Sequence, residues 1–137
     1  MNDREAVVAA NRAFYDAFES LDVGKMESVW LQDQRIVCIH PGWRKLLGWG
    51  AVMTSWERIF ESVFEMKFEL GEMDVMISGD LAVVVVQENL TQRGYEGMSR
   101  SQVLTTNVFE RSGERWLMVV HHGSPIIQSE DDEPPLQ

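Results

Sequence analysis

The chain has 137 residues, 45% of them hydrophobic and 25% charged, with a formal net charge of -10. This length supports one domain with its own core. The acidic balance argues against a nucleic-acid partner, because phosphates are bound by clustered Lys and Arg. No apolar run reaches the ~18 residues that a membrane span needs. A single cysteine, Cys38, excludes an internal disulfide, and no secretory signal pattern is found, so we expect a cytoplasmic protein.

Two helices are predicted at the start of the chain. Asn2 and Glu5 stand at capping-box spacing, which places the first helix start near Asp3. Tyr15 lies beside the apolar stripe of this helix, and Asp22 is predicted to cap a second, shorter helix. The stripe is formed by apolar residues at helical spacing, namely Ala6, Ala10, Ala13, Phe14, Ala17, Phe18 and Leu21.

A short strand and a compact loop follow. The β-branched run from Arg35 to Ile39 predicts a strand that is covered on both faces. It leads into the extended dipeptide His40-Pro41 and a loop that contains Trp43 and Trp49. The apolar spacing then becomes helical again, with Trp56 on the apolar face of a third helix.

The rest of the chain predicts four consecutive strands. In the first, the alternation of apolar and polar residues changes phase at Gly71, which indicates a β-bulge and a bent sheet. Short turns are predicted at Ser78-Gly79-Asp80 and Ser112-Gly113-Glu114, and a longer loop from Gln92 to Met98. Consecutive strands of this kind form an antiparallel meander. The predicted fold class is α+β, with helices packed on a strongly curved antiparallel sheet.

The predicted domain spans residues 1–125. Residues 126–137 are predicted to be an acidic, disordered tail, in which Glu130 to Glu133 precede two prolines. One side of the third strand of the meander carries Thr105 and Asn107 in line with apolar residues, and the other side carries Thr106 in line with Leu104 and Val108, so neither face is purely polar. Because burial of these side chains is favourable, we expect a homodimer through the sheet.

The order of these elements resembles the nuclear transport factor 2-like superfamily, over about Glu5 to Pro125. Two stretches carry the resemblance: His40-Pro41-Gly42-Trp43 with Gly48-Trp49 and Ser55-Trp56, and Thr106 to Phe109 through Trp116 to His121-His122-Gly123-Ser124-Pro125. They are similar to a SnoaL-like group, relatives of ketosteroid isomerases and polyketide cyclases. The last three strands also resemble the association domain of calcium/calmodulin-dependent kinase II. The resemblance implies a cone with a ligand pocket between the sheet and the first and third helices.

The resemblance to ketosteroid isomerases implies positions in this chain for three of their catalytic residues. Their general base, an Asp before a turn, corresponds to His40 here. Their oxyanion-donating tyrosine corresponds to Tyr15. Their protonated carboxylic acid falls near Thr105, so the acid has no counterpart there, and the comparison argues against steroid isomerisation.

The histidines are candidates for acid–base chemistry, because an imidazole titrates near ~6.5. His40 is the candidate base. The alternative is a structural histidine whose ring forms a hydrogen bond to a backbone group of the turn. His121 and His122 are neighbours on a strand, so they face opposite sides of the sheet. His122 is the catalytic candidate and His121 a ligand-binding one. No further His or Cys stands at ligand spacing, so neither a metal nor another cofactor is expected.

The remaining candidates are ligand-binding residues. Trp43 and Trp49 are predicted walls of a pocket for a flat apolar molecule. Trp56 is in register with apolar neighbours, so core packing is an equal prediction. Arg100 and Asn107 could orient a carbonyl or carboxylate, with loop carbonyls or a dimer contact as alternatives of equal weight.

Two functions are consistent with this sequence. The first is a SnoaL-like protein that binds a small apolar ligand in the cone. There, His40, Tyr15 and His122 would support isomerisation, cyclisation or dehydration next to a carbonyl. The alternative is a non-catalytic ligand-binding or association module whose function is the dimer.

Overall fold

The computed structural model describes residues 1–127, which form three helices packed against one six-stranded sheet. Its elements are α1 (Asp3–Ser20), α2 (Val23–Val29), β1 (Val37–Ile39), β2 (Leu46–Leu47), α3 (Trp49–Ser62), β3 (Val63–Ser78), β4 (Leu81–Gly94), β5 (Gly97–Ser112) and β6 (Arg115–Pro125). The strand order is β2-β1-β6-β5-β4-β3. Residues 128–137, and with them most of the predicted tail, lie outside the described residues.

Both predicted helix starts are confirmed. The Asn2 side chain accepts a hydrogen bond from the Glu5 amide at 2.8 Å, and the Glu5 carboxylate accepts one from the Asn2 amide at 3.0 Å. Asp22 accepts a hydrogen bond from the Lys25 amide at 3.2 Å and caps α2. These caps satisfy amides that a helix leaves unpaired at its start. One member of the predicted stripe, Ala13, is exposed, so its assignment to the buried face is wrong.

The bend in the sheet is confirmed in β3. Its pairing with β4 shifts register between Leu70 and Met73, on either side of Gly71. An extra residue at this place changes which side chains face the helices and increases the local twist. The long strand can therefore wrap around α1 and still present apolar residues to it on both sides of the bulge.

Two features differ from the predicted meander. The predicted loop over 92–98 is wrong, because β4 and β5 stay paired up to Gly94 and Gly97 and leave only Tyr95-Glu96 as the turn. Cross-strand pairing overrides the weak strand propensity of this segment. The dipeptide Leu46-Leu47 also forms a strand beside β1, and it is too short to give a periodic signal. β1 itself pairs in parallel with β6 and so joins the loop to the meander.

The core lies between the concave face of the sheet and the helices α1 and α3. Phe18 packs edge-on against Trp56 with ring centroids 4.7 Å apart, and Phe14 lies 4.8 Å from the ring of His121 on β6. Trp56 is fully buried, as its register with apolar neighbours predicts. No helix among residues 1–127 is both long and apolar enough to cross a membrane.

We predict that close packing of β6 against the loop after β1 requires a glycine at position 123. A Cβ added at Gly123 would lie 3.0 Å from Pro41 Cγ and 3.0 Å from Val103 Cγ1. We expect Gly123→Ala to lower the free energy of unfolding by about 1–3 kcal/mol, the usual cost of overpacking. Urea unfolding measures the change. Gly50→Ala is the matched control, because its Cβ meets nothing within 4 Å and helix propensity favours alanine by about 1 kcal/mol. A Gly123→Ala protein as stable as wild type would contradict the packing argument.

Candidate functional site

A carboxylic acid and a phenol lie in contact inside the cone. Glu88 on β4 is in phase with the buried residues Val84 and Val86, so its side chain faces the helices and is only 3% exposed. Tyr15 on α1 is 1% exposed, and its hydroxyl donates to Glu88 Oε2 at 2.5 Å. Glu88 is absent from the residues predicted from the sequence. The sequence does contain a signal for Glu88: it is a charged residue at a position of β4 where the alternation of buried and exposed residues predicts an apolar side chain.

Burial favours the neutral form of both groups of this pair. Burial raises the pKa of the Glu88 carboxyl above its usual 4.5, because a low-dielectric surrounding disfavours the charged form. Within residues 1–127, Glu88 forms no salt bridge. Burial, reinforced by the neighbouring Glu88, also raises the pKa of the Tyr15 phenol. The pair therefore consists of a carboxyl and a phenol that both ionise less readily than they would in water.

Asn107 on β5 extends the pair into a chain of hydrogen bonds. Its Nδ2 donates to Tyr15 Oη at 3.2 Å and to Asn11 Oδ1 at 2.9 Å. Its Oδ1 lies 2.7 Å from His121 Nδ1 and accepts a hydrogen bond from that nitrogen. Because His121 Nδ1 carries the proton, Nε2 is the unprotonated nitrogen of the neutral ring. Burial, with His40 nearby, holds the pKa of His121 well below its usual value.

His40 lies at the end of β1 and is fixed by Ser55 on α3. Ser55 Oγ donates to the Val52 carbonyl at 2.6 Å and lies 2.9 Å from His40 Nε2, so His40 Nε2–H donates to Ser55. The unprotonated nitrogen of His40 is therefore Nδ1. Burial lowers the pKa of His40 to about 4, whereas an unperturbed value near ~6.5 was expected. His40 is thus a neutral but weak base at physiological pH.

The three candidate tryptophans occupy different surroundings. Trp43 is 45% exposed in the loop, with its ring centroid 4.8 Å from that of His40. Trp49 is half-buried and is the first residue of α3, so the prediction that it lies in the loop is wrong. The Trp56 ring lies 4.7 Å from His40 and 5.9 Å from His121. Trp56 therefore packs beside both histidines in the interior.

Two buried polar atoms at this site have no hydrogen-bond partner among residues 1–127, Trp56 Nε1 and Thr105 Oγ1. Buried polar atoms without a partner are rare in folded proteins. Thr105 also lies near enough to Glu88 and Tyr15 to lower the pKa of both. The family comparison places a carboxylic acid near Thr105, and the structure supplies one beside it from the neighbouring strand.

Two predicted site residues lie away from this interior. His122 is exposed on the outer face of the sheet, because it alternates with the buried His121. The predicted set of His40, Tyr15 and His122 therefore does not assemble. Arg100 is exposed on the outer face as well, where it lines a groove of about 1010 Å³. His40, Tyr15, Trp56, Asn107 and His121 do come together, and Glu88 completes the group.

Metal binding was not predicted, and within residues 1–127 no three His, Cys, Asp or Glu side chains are clustered in a way that could hold an ion. The chemistry available in the described interior is that of neutral hydrogen-bond donors and unprotonated imidazoles. Such groups can stabilise a developing oxyanion and accept a proton.

Helices packed on a curved six-stranded sheet, with a polar group buried in the cone, define a nuclear transport factor 2-like protein. Within that class, residues 7–128 match the SnoaL-like domain family, and the chain belongs to this family.

Several proteins share this fold. A proposed dehydratase of the NTF2-like family from Streptomyces avermitilis is 32% identical, with a TM-score of 0.87 over 92% of this chain and 98% of its own. A proposed calcium/calmodulin-dependent protein kinase type II association domain from Thiobacillus denitrificans is 34% identical, with a TM-score of 0.78 over 87% of this chain and 94% of its own.

A curated relative is the F-box protein SKIP8 from Arabidopsis thaliana, 28% identical over 122 residues. The match covers 89% of this chain and 50% of the relative, so the chain spans about half the length of that protein. The relatives therefore include a protein described as a dehydratase, a protein described as an association domain, and an F-box protein about twice as long as this chain.

The raised pKa of Glu88 predicts a pH dependence of stability. The folded-state pKa is raised, so above about pH 4.5 the unfolded chain loses this proton while the folded chain keeps it, and stability falls as pH rises. The expected slope is about 1.4 kcal/mol per pH unit until the folded pKa is reached. Glu88→Gln should remove this contribution, as measured by urea unfolding between pH 5 and 9. The control is Glu72→Gln, since Glu72 is exposed. Parallel profiles for wild type and Glu88→Gln would rule out a neutral Glu88.

Proposed function

We propose that the protein is an acid–base catalyst that moves a proton next to the carbonyl group of a small, largely apolar molecule. The reaction class is isomerisation, cyclisation or dehydration. The observation that carries this proposal is the Tyr15–Glu88 pair, which is buried with no cation beside it among residues 1–127. A buried carboxyl costs stability unless it is compensated, and shifted pKa values of buried groups cluster at functional sites.

The pair suits one chemical step. When a base removes the proton from the carbon next to a carbonyl, the C–H electron pair forms an enolate and negative charge develops on the carbonyl oxygen. A protonated Glu88 can donate to this oxygen, and Tyr15 can do so when its hydroxyl turns from Glu88 Oε2 to the substrate, so that both act as neutral donors. Their neutrality matters, because an ionised carboxylate would repel the enolate.

The base in this proposal is an imidazole. His40 and His121 have ring centroids 6.3 Å apart, and each has one nitrogen unprotonated at neutral pH. His40 is the stronger candidate, because it is closer to solvent. The half-exposed side chain of Trp43 packs against its ring. In this proposal the substrate enters by displacing the Trp43 side chain and lies between His40 and the Tyr15–Glu88 pair.

Exchange of carbon-bound protons in deuterated water tests this step without a known substrate. We expect the protein to catalyse deuterium incorporation next to the carbonyl of at least one compound in a panel of apolar ketones, followed by NMR. Tyr15→Phe should lower the rate about 100-fold, the usual effect of losing one oxyanion donor. The other tyrosine of the chain provides a matched control, since Tyr95 is 80% exposed and Tyr95→Phe should keep the wild-type rate.

Two results would overturn the proposal. One is exchange that survives Tyr15→Phe unchanged in a protein with a wild-type circular dichroism spectrum. The other is the absence of exchange across the whole panel by a folded wild-type protein, which would favour association as the function.

Association is the second candidate function, and the outer face of the sheet favours it. Val83, Val108 and Val120 are paired across three neighbouring strands and are all partly exposed, and Met76 opposite Val83 is 67% exposed. We propose that a second copy of the chain covers this apolar row, because burial of such a row is favourable. The similarity to a proposed association domain from Thiobacillus denitrificans supports the same function.

Sedimentation measures this association. We expect a wild-type dimer at micromolar concentration, and we expect Val108→Glu to yield a folded monomer, because it places a charge at the centre of the row. Gln102→Glu adds the same charge to the exposed polar end of the same strand face and should remain dimeric. A monomeric wild type would exclude this interface.

A further inference from the structure

The side-chain amide of Asn107 contacts both the acid pair and an imidazole. Its Nδ2 lies 3.2 Å from Tyr15 Oη and 2.9 Å from Asn11 Oδ1, and its Oδ1 lies 2.7 Å from His121 Nδ1. These four side chains are each at most 2% exposed. The polar atoms of this amide are therefore occupied by side chains of α1 and β6, in a place where water does not compete for them.

The direction of the Asn107 amide decides where the hydrogen of Tyr15 points. Both hydrogens of Nδ2 are donated, one to Asn11 Oδ1 and one to Tyr15 Oη. A phenol has a single hydrogen, and a phenol oxygen that accepts from Asn107 cannot direct this hydrogen back at the same nitrogen. The Tyr15 hydrogen therefore points away from Asn107 and towards Glu88.

Donation from Asn107 also makes Tyr15 a better hydrogen-bond donor. Burial raises the pKa of the Tyr15 phenol, Glu88 raises it further, and the hydrogen bond from Asn107 opposes this rise. A donor on the phenol oxygen has this effect because it stabilises the phenolate. Since each bond in a hydrogen-bonded chain polarises the next, Tyr15 donates more strongly to an oxygen that becomes negative.

At its other end, the same amide fixes the tautomer of His121. The oxygen of an amide accepts hydrogen bonds and cannot donate them. The proton of the neutral His121 ring is therefore held on Nδ1 by Asn107 Oδ1, and Nε2 keeps its lone pair. One amide thus prepares a donor at Tyr15 and an acceptor at His121, in the same interior as His40, whose ring centroid is 6.3 Å from that of His121.

We propose that Asn107 is a positioning residue for the acid–base reaction: its amide turns the Tyr15 hydrogen away from itself and keeps His121 Nε2 unprotonated. Asn107 acts through these two side chains and does not touch the reacting atoms. Its part in the reaction rests on the proposed function, whereas the direction of its hydrogen bonds can be measured without a substrate.

Nitrogen-15 NMR of the histidine rings tests the tautomer, because protonated and unprotonated ring nitrogens give well-separated signals. We expect His121 to be a neutral Nδ1–H ring at pH 7 in the wild type. Asn107→Leu removes the amide at similar side-chain volume, and we expect the Nε2–H form of His121 to appear. Asn89→Leu is the matched control, because Asn89 lies on the outer face of β4 and bonds to Gln87 at 3.1 Å. His121 should be unchanged in this control.

Two results of this measurement would overturn the proposal. One is an Nε2–H ring at His121 in the wild type, which would mean that the amide of Asn107 is turned the other way. The other is an Asn107→Leu protein whose His121 signals equal those of the wild type. The wild-type signals decide the tautomer even if Asn107→Leu does not fold.

Deuterium exchange into the ketone that the wild type exchanges fastest tests the action through Tyr15. We expect Asn107→Leu to lower kcat about tenfold, less than the loss of Tyr15 itself, and to leave KM within about twofold. In a Tyr15→Phe background the same substitution should change kcat by less than about twofold, because residues that act as a unit are not additive. Asn89→Leu should keep the wild-type rate.

These outcomes separate the role of Asn107 from the proposed function. If the wild type exchanges a ketone and folded Asn107→Leu exchanges it equally fast, only the positioning role fails. A loss of kcat in the Tyr15→Phe background as large as that in the wild type would also overturn it, since Asn107 would then act independently of Tyr15. If no ketone is exchanged, the proposed function fails and the positioning role fails with it, whereas the ring signals still report the direction of the amide.

Discussion

The structure depends on hydrogen bonds that join α1 to three different strands. Tyr15 and Asn11 on α1 contact Glu88 on β4 and Asn107 on β5, and Asn107 contacts His121 on β6. All five side chains are buried. A helix that docked one turn away would leave these groups unpaired, at a cost of about 1–3 kcal/mol for each. The polar chain therefore selects one position of α1 on a sheet whose aromatic contacts alone would permit several.

The same burial determines what chemistry the interior can support. It raises the pKa values of the Glu88 carboxyl and the Tyr15 phenol, and it lowers those of His40 and His121. Acid and base groups can thus lie in one interior, because burial disfavours the charged form of each. The closed packing around them, with Trp56 fully buried against both histidines, means that a substrate must displace a side chain to reach the pair.

The outer face of the sheet is divided into two regions of different character. The row of Val83, Val108 and Val120 is apolar, whereas the opposite end, around Arg100, is polar. A second copy is suited to the first region. Since this region lies on the face of the sheet opposite the interior site, association can be tested independently of the interior chemistry.

The sequence by itself determined the order of helices and strands, the caps of α1 and α2 and the bulge in β3, because these depend on local spacing and on residues a few positions apart. It also identified His40, Tyr15 and Asn107, which the structure brings together. It did not reveal Glu88 as a partner of Tyr15, since the two are 73 residues apart. It also did not decide which of His121 and His122 faces the core. Those outcomes depend on strand register and on burial, and burial also lowered the pKa of His40 from its expected value. Only the packing of α1 against the sheet decided them.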